Sequence, residues 1–301
     1  MQTISENVLL YFFEFNNKLY KLLMRLVNRI YNKMFVRLNA EERSILQTLK
    51  KRPQAPYDFF SRYEKILDNS IGWQKINFEN NSVMELGCGP HLGFGPLAIY
   101  LGARNFLAVD PTVNKNIFES KKLIDNYFKM SFKDFNGIFR REISFTEFMK
   151  QLKKKTIFYS NTEDSLDEFN SKIDIQLSNS CLEHVENLNN LLADLKKLIS
   201  LDGRYIHAVD FGSHIKSNNP FNDIYSSDPE SFRVKYGNKI NLIPPSKMIK
   251  IFSESGFNKA KLVSYYYHNE NFNSNIDEYW KENLEKGDFF LKVGIIAGKI
   301  K

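Results

Sequence analysis

The residues of this chain best suited to chemistry fall in three places. The first is SVMELGCGPHLGFGPLAIYLGARNFLAVDPT, residues 82–112. There Gly87, Gly89, Gly93 and Gly95 stand between two apolar segments, and Asp110 closes the second. Glycine reaches positive φ and lets backbone approach a ligand closely, so the spacing suggests a ligand held at a strand-to-helix turn. The second is LEHV, with His184, and the third is VDFGSH, with Asp210 and His214 four residues apart. An imidazole beside a carboxylate can take a proton from a hydroxyl. No His-x-x-x-His or Cys-x-x-Cys spacing occurs, so no metal site is expected.

These residues need a scaffold, and the pattern from Ser82 onward supplies one. SVMEL, NFLAVD, KIDIQLSN, GRYIHAVDF, AKLVSYYYH and DFFLKVGIIAGK read as strands. PLAIYLGA, LNNLLADLKKLIS and PPSKMIKIFSESG read as helices, with Gly102 and Gly256 as end caps. Residues 113–154 read mainly as helix, with a loop around Asn136 and Gly137. Alternating β and α units predict an α/β fold, a doubly wound, mostly parallel sheet, with the last two strands as an antiparallel pair.

Ahead of this body, residues 1–56 predict a helical extension, with the main domain at 57–301. The stretch from Val8 to Leu38 reads as one helix whose cations, Lys18, Lys21, Arg25, Arg29, Lys33 and Arg37, have no acid among them. That pattern suits the body's own surface, a homodimer seam or an anionic membrane. A second helix starts at Asn39 and ends at Pro53 and Pro56, and a third covers DFFSRYEKILD.

Charge is unevenly placed. The chain carries a net +7, and residues 1–56 hold ten Lys or Arg against four Asp or Glu. The body is thus close to neutral, which argues against a nucleic-acid substrate. Two cysteines, Cys88 and Cys181, make no disulfide framework, and no apolar run is long enough to span a bilayer. The expected setting is cytoplasmic, or the inner face of a membrane reached through the N-terminal helix.

Asp110, 23 residues after Gly87, can accept hydrogen bonds from a ribose diol. That fits either NAD or S-adenosylmethionine. Three details favour the second. The third glycine comes one position later than the dinucleotide fingerprint requires. Glu85 precedes the turn, where an acid suits a cationic ligand. Pro90 removes an N–H that a phosphate would use.

With E-x-G-C-G-P at residues 85–90 and the acid at Asp110, the segment resembles the first motif and second-strand acid of class I S-adenosylmethionine-dependent methyltransferases. The resemblance covers roughly residues 80–300 and weakens after 215. It implies cofactor contacts from Glu85, Gly87, Cys88, Gly89, Asp110 and Pro111. Asp164 and Ser165 in YSNTEDSLDEF, and Ser178 and Asn179 at the fourth strand's end, complete the set. Cys88 also reads as a small filler, and Glu85 as a cap on a backbone amide. Many family members of every substrate type carry a histidine at the place of His184. A subset that includes enzymes acting on sugars and surface glycans shows the Asp210–His214 arrangement, which makes His214 the expected base.

The insertion IKSNNPFNDIYSSDPESFRVKYGNKIN is polar and aromatic. Loops above the sheet's carboxyl edge carry specificity, so Asn219, Phe221, Asp223, Tyr225 and Asn241 are expected substrate contacts. Asn219-Pro220-Phe221 resembles the motif of amino-group methyltransferases, but that motif belongs where this chain has Ser178-Asn179-Ser180-Cys181. The expectation is methyl transfer to a hydroxyl or other oxygen of a small molecule or a bacterial surface-polysaccharide precursor. The alternatives are an RNA or protein substrate, or a scaffold that binds the cofactor without turnover.

Overall fold

The computed structural model describes residues 55–215 and 217–301. The basic helix and the helix beginning at Asn39 lie outside the described residues. The first described helix, α1 (Ala55–Ile71), presents Phe60, Tyr63 and Leu67 at three- and four-residue spacing, all buried. Its start includes Pro56, a residue expected to close the preceding helix.

Seven strands form one sheet in the order β3-β2-β1-β4-β5-β7-β6. They are β1 (Ser82–Leu86), β2 (Asn105–Val109), β3 (Thr156–Tyr159), β4 (Ile173–Asn179), β5 (Ile199–Asp210), β6 (Lys261–Tyr267) and β7 (Leu291–Lys299). Pairing is parallel from β3 through β5, and β7 runs antiparallel to both its neighbours. The expected doubly wound sheet with a closing antiparallel pair is what forms. All five residues of β1 are buried, as a central parallel strand covered on both faces requires.

The helices that matter here are α2 (Gly95–Tyr100), α3 (Lys129–Phe139), α4 (Phe145–Lys155), α5 (Leu188–Leu198), α6 (Pro229–Tyr236), α7 (Pro245–Glu254) and α8 (Glu278–Asn283). On α5, Leu188, Leu192, Leu195 and Leu198 fall on one stripe, which packs with Met248 and Phe252 of α7 in one core. Tyr100, Phe132, Phe135 and Phe148 form an aromatic cluster joining α2, α3 and α4. The expected break at Asn136 and Gly137 is not there. Both lie inside α3, and the chain turns at Arg140, which takes the left-handed conformation (φ 51°).

The insertion after β5 makes a second, smaller core. Phe221, Ile224, Tyr225, Phe232, Ile240 and Trp280 pack together, drawing in the segment before β7. Since β1, β2, β4 and β5 are parallel, their carboxyl ends share one edge. Strand order reverses between β1 and β4, the place where such sheets bind ligands.

Candidate active site at the carboxyl edge of the sheet

Three glycines of the turn after β1 have positive φ: Gly87 (73°), Gly89 (63°) and Gly93 (42°). Their reasons differ. A Cβ on Gly87 would fall 2.6 Å from both Cβ and Sγ of Cys181, at the end of β4. A Cβ on Gly93 would run into the Glu85 carboxylate. At Gly89 the nearest atoms belong to the His91 ring, at 3.5 Å. Two of the glycines therefore serve the chain's own packing, and Gly89 offers bare backbone with room beside it.

Gly89 N–H also fixes the neighbouring acid. It donates to Asp110 Oδ2 at 2.9 Å, and Thr112 donates to Oδ1 from its N–H (2.7 Å) and its hydroxyl (2.5 Å). Oδ2 keeps acceptor capacity, because a carboxylate oxygen takes two hydrogen bonds. Pro111 beside it is exposed. Open backbone at Gly89 next to an oriented carboxylate fits a ribose-bearing cofactor.

Of the two readings of Glu85, a cofactor contact and a cap on a backbone amide, the structure forms the cap. Glu85 is buried beneath the turn and accepts the Phe94 N–H at 2.6 Å. Burial pushes its carboxyl up to about 8, with the Phe94 N–H opposing and Asp110 adding, so at neutral pH it is an uncharged brace. Burial also raises the Cys88 thiol, and pushes that of Cys181 up to about 12. Neither is a nucleophile.

The remaining cofactor candidates divide. Asp164 is exposed in the single turn Glu163–Ser165. Ser165 is fully buried and donates its hydroxyl to Thr162 O at 2.6 Å, so its side chain faces inward. Ser178 is also buried, hydrogen-bonded to His207 Nδ1 at 2.9 Å. Asn179 Oδ1 accepts from Tyr63 of α1, which places that helix over the end of β4.

At the ends of β4 and β5 the two histidines meet, with ring centroids 4.7 Å apart. His184 Nδ1 lies 2.6 Å from Lys239 O. A carbonyl only accepts, so Nδ1 carries the proton and Nε2 is left with its lone pair. Asp210 and His214 lie side by side without a hydrogen bond: His214 Nε2 stands 3.8 Å from Asp210 Oδ2. Asp210 is engaged by Lys292 of β7 through both oxygens and by Gly212 N–H at 2.9 Å. Burial lowers the His214 pKa, Asp210 opposes this, and His184 and Lys292 add to it.

Glu183, beside His184, is 2% exposed, and neither carboxylate oxygen has a hydrogen-bond partner. Burial pushes it up to about 7. Its own N–H and that of Asp210 lie close enough to temper this without completing a hydrogen bond, while the charge of Asp210 adds to the rise. Glu183 and Asp210 line a cavity of about 30 Å³ with Phe221, Tyr225, Asn241 and Trp280.

The expected substrate contacts are mostly structural. Asn219 is fully buried, bonding Glu270 O and Phe221 N–H, each at 2.7 Å. Phe221 and Tyr225 belong to the second core and line the cavity that Asp210 also borders. Asp223 accepts from Tyr236. Asn241 is a strap: its N–H reaches Glu183 O at 2.7 Å, and its Nδ2 reaches Leu182 O (2.8 Å) and Val185 O (3.1 Å). It holds the turn that carries Glu183 and His184.

Sequence reasoning missed Glu183, Lys292 and Tyr63. In LEHV nothing marks Glu183 as a buried acid. Lys292 lies 82 residues beyond Asp210 and arrives only through the antiparallel return of β7.

Residues 51–262 match a family model described as a methyltransferase domain. That is well over half of the chain, and the chain belongs to this family. No curated protein sequence matches. Similar solved structures include an S-adenosylmethionine-dependent methyltransferase from Mesorhizobium loti (13% identity, 78% of this chain and 97% of that one, TM-score 0.41). A second is Haemonchus contortus phosphoethanolamine N-methyltransferase 2, in complex with S-adenosyl-L-methionine (14%, 79% and 47%, 0.40). A third is a possible histamine N-methyltransferase from Thermotoga maritima (13%, 92% and 97%, 0.42).

Proposed function

We propose that this methyltransferase-family chain transfers a methyl group from S-adenosylmethionine to an oxygen of a small hydroxylated molecule or a surface-glycan precursor. When bound, S-adenosylmethionine supplies a methyl group already activated on a sulfonium. In this reading Gly89 backbone lies under the methionine portion, Asp110 Oδ2 accepts from the ribose, and Asp164 meets the adenine. The acceptor sits at the ends of β4 and β5, one strand over from the glycine turn.

The observation that carries the oxygen reading is the pair of imidazoles at that mouth. A hydroxyl must lose its proton during transfer, and a ring nitrogen beside it supplies the acceptor. His214 takes that part. Asp210, held by Lys292, keeps the loop in place and supplies nearby negative charge. Asn241 and Lys239 fix the His184 turn from the other side.

The test is formation of S-adenosylhomocysteine over a panel of hydroxylated and amino acceptors. Turnover on a hydroxyl acceptor that falls at least tenfold in His214→Ala, with cofactor affinity unchanged, supports the reading. Turnover confined to amines, or equal loss of cofactor binding, overturns it.

A further inference from the structure

The structure assigns a divalent transition-metal site to Glu183, His184 and His214, at the mouth between β4 and β5. One ligand atom from each lies within 4.8 Å of the other two. Two independent features point to a cation. The Glu183 carboxylate is 2% exposed and has no partner for either oxygen. Leaving such a group buried and unsatisfied is costly, on the order of 1–3 kcal/mol or more. In addition, His184 gives its Nδ1 proton to Lys239 O at 2.6 Å. That is the arrangement by which metal-binding histidines are oriented, with the other nitrogen presented as a ligand.

The geometry needs only a modest closure. Bonds of about 2.1 Å at tetrahedral angles set ligand atoms about 3.4 Å apart. The present separations, all within 4.8 Å, exceed that by no more than about 1.4 Å, and His184 and His214 are exposed residues on turns. Two imidazoles and one carboxylate suit Zn²⁺, Co²⁺, Fe²⁺ or Ni²⁺ far better than Mg²⁺, which prefers oxygen ligands. Three protein ligands leave at least one position open, the pattern of sites that bind a substrate oxygen or water.

The site stands on its own geometry and does not depend on which acceptor is methylated. It changes one role. A His214 nitrogen bound to an ion cannot also take a proton, so His214 is the base only in the metal-free protein; in the loaded protein a hydroxyl on the ion, made more acidic by it, would release its proton to solvent.

The chain's composition makes the test clean. All five histidines and both cysteines lie beyond residue 87, so residues 1–54 offer no competing ligand of either type. Full-length chain is stripped with chelator and titrated with Zn²⁺ and with Mg²⁺ by calorimetry, and with Co²⁺ by visible absorption. The expected result is one Zn²⁺ per chain, no comparable Mg²⁺ affinity, and a Co²⁺ spectrum of nitrogen and oxygen ligation. Affinity for Zn²⁺ should fall about 100-fold, about 2.7 kcal/mol, in His184→Ala/His214→Ala. Glu183→Gln should weaken it too. Since both histidines are exposed, the double variant keeps its fold, which its melting temperature verifies. His268→Ala should bind as the parent does. Equal Zn²⁺ binding by parent and double variant, or no 1:1 binding by the parent, overturns the site. S-adenosylhomocysteine is titrated in parallel. If it binds while Zn²⁺ does not, the metal site alone falls and the methyl-transfer reading stands.

Discussion

Replacing Gly87 and Gly89 by alanine, one at a time, separates packing from ligand contact in a single turn. Both have positive φ, so alanine costs about 1–2 kcal/mol at either position. Gly87 carries a second cost. Its new Cβ would stand 2.6 Å from Cys181 Cβ and Sγ, and overpacking of that kind adds about 1–3 kcal/mol. At Gly89 the nearest atoms are 3.5 Å away, an ordinary contact. Urea unfolding should therefore show Gly87→Ala less stable than Gly89→Ala by at least about 1 kcal/mol. Adding Cys181→Gly should recover part of the Gly87→Ala loss, whereas Cys181→Ala, which keeps its own Cβ, should recover little. Calorimetry with S-adenosylhomocysteine should give the opposite order for Gly89→Ala: a small stability loss and at least a tenfold loss of affinity, about 1.4 kcal/mol. Equal stability losses, or parental affinity in Gly89→Ala, would refute the division of roles.

Other consequences follow from buried groups. His207 is buried against Ser178, and burial lowers its pKa to about 3. The folded state then binds fewer protons than the unfolded one below about 6.5, so stability is lost as pH falls through that range, at about 1.4 kcal/mol per unit. Comparing parent with His207→Gln, about 2 kcal/mol of the parent's stability change between pH 7 and 5 should vanish; identical slopes would contradict the assignment. Asn241→Ala removes the hydrogen bonds to Leu182 O and Val185 O and the one accepted from Ile243, and should cost about 2–3 kcal/mol in urea unfolding. A loss below about 0.5 kcal/mol would mean that Asn241 is not the strap. Cys88 and Cys181, both with raised pKa, should react with iodoacetamide at pH 8 at least about 100-fold more slowly in the native chain than in urea.

What was legible in the sequence was what depends on local pattern. Alternating apolar runs placed six of the seven strands; β3, only the four residues Thr156–Tyr159, was not among them. The glycine turn with Asp110 one strand later falls at the carboxyl edge, where strand order reverses. Gly137 misled, because an exposed glycine inside a helix costs only about 1 kcal/mol and α3 runs through it to Arg140. Ser178 was read as a ligand and Glu85 as a ligand or an amide cap; side chains of central strands buried on both faces point into the core, where Glu85 caps the Phe94 N–H and Ser178 meets His207. The aromatic residues of the insertion suggested a substrate surface, but they close a second core with Trp280, a partner that no local window contains. Lys292 and Glu183 were missed for the same reason. Their meaning lies in the return of β7 beside β5, and in a cavity formed by segments far apart in sequence.

The central claim, a nucleoside-bearing methyl donor held by Gly89 and Asp110, is tested most directly by calorimetric titration of the full chain. S-adenosylhomocysteine should bind one per chain with micromolar affinity, NAD should give no heat, and Asp110→Asn should weaken binding at least tenfold. No heat with S-adenosylhomocysteine, or the same affinity in Asp110→Asn, contradicts the account.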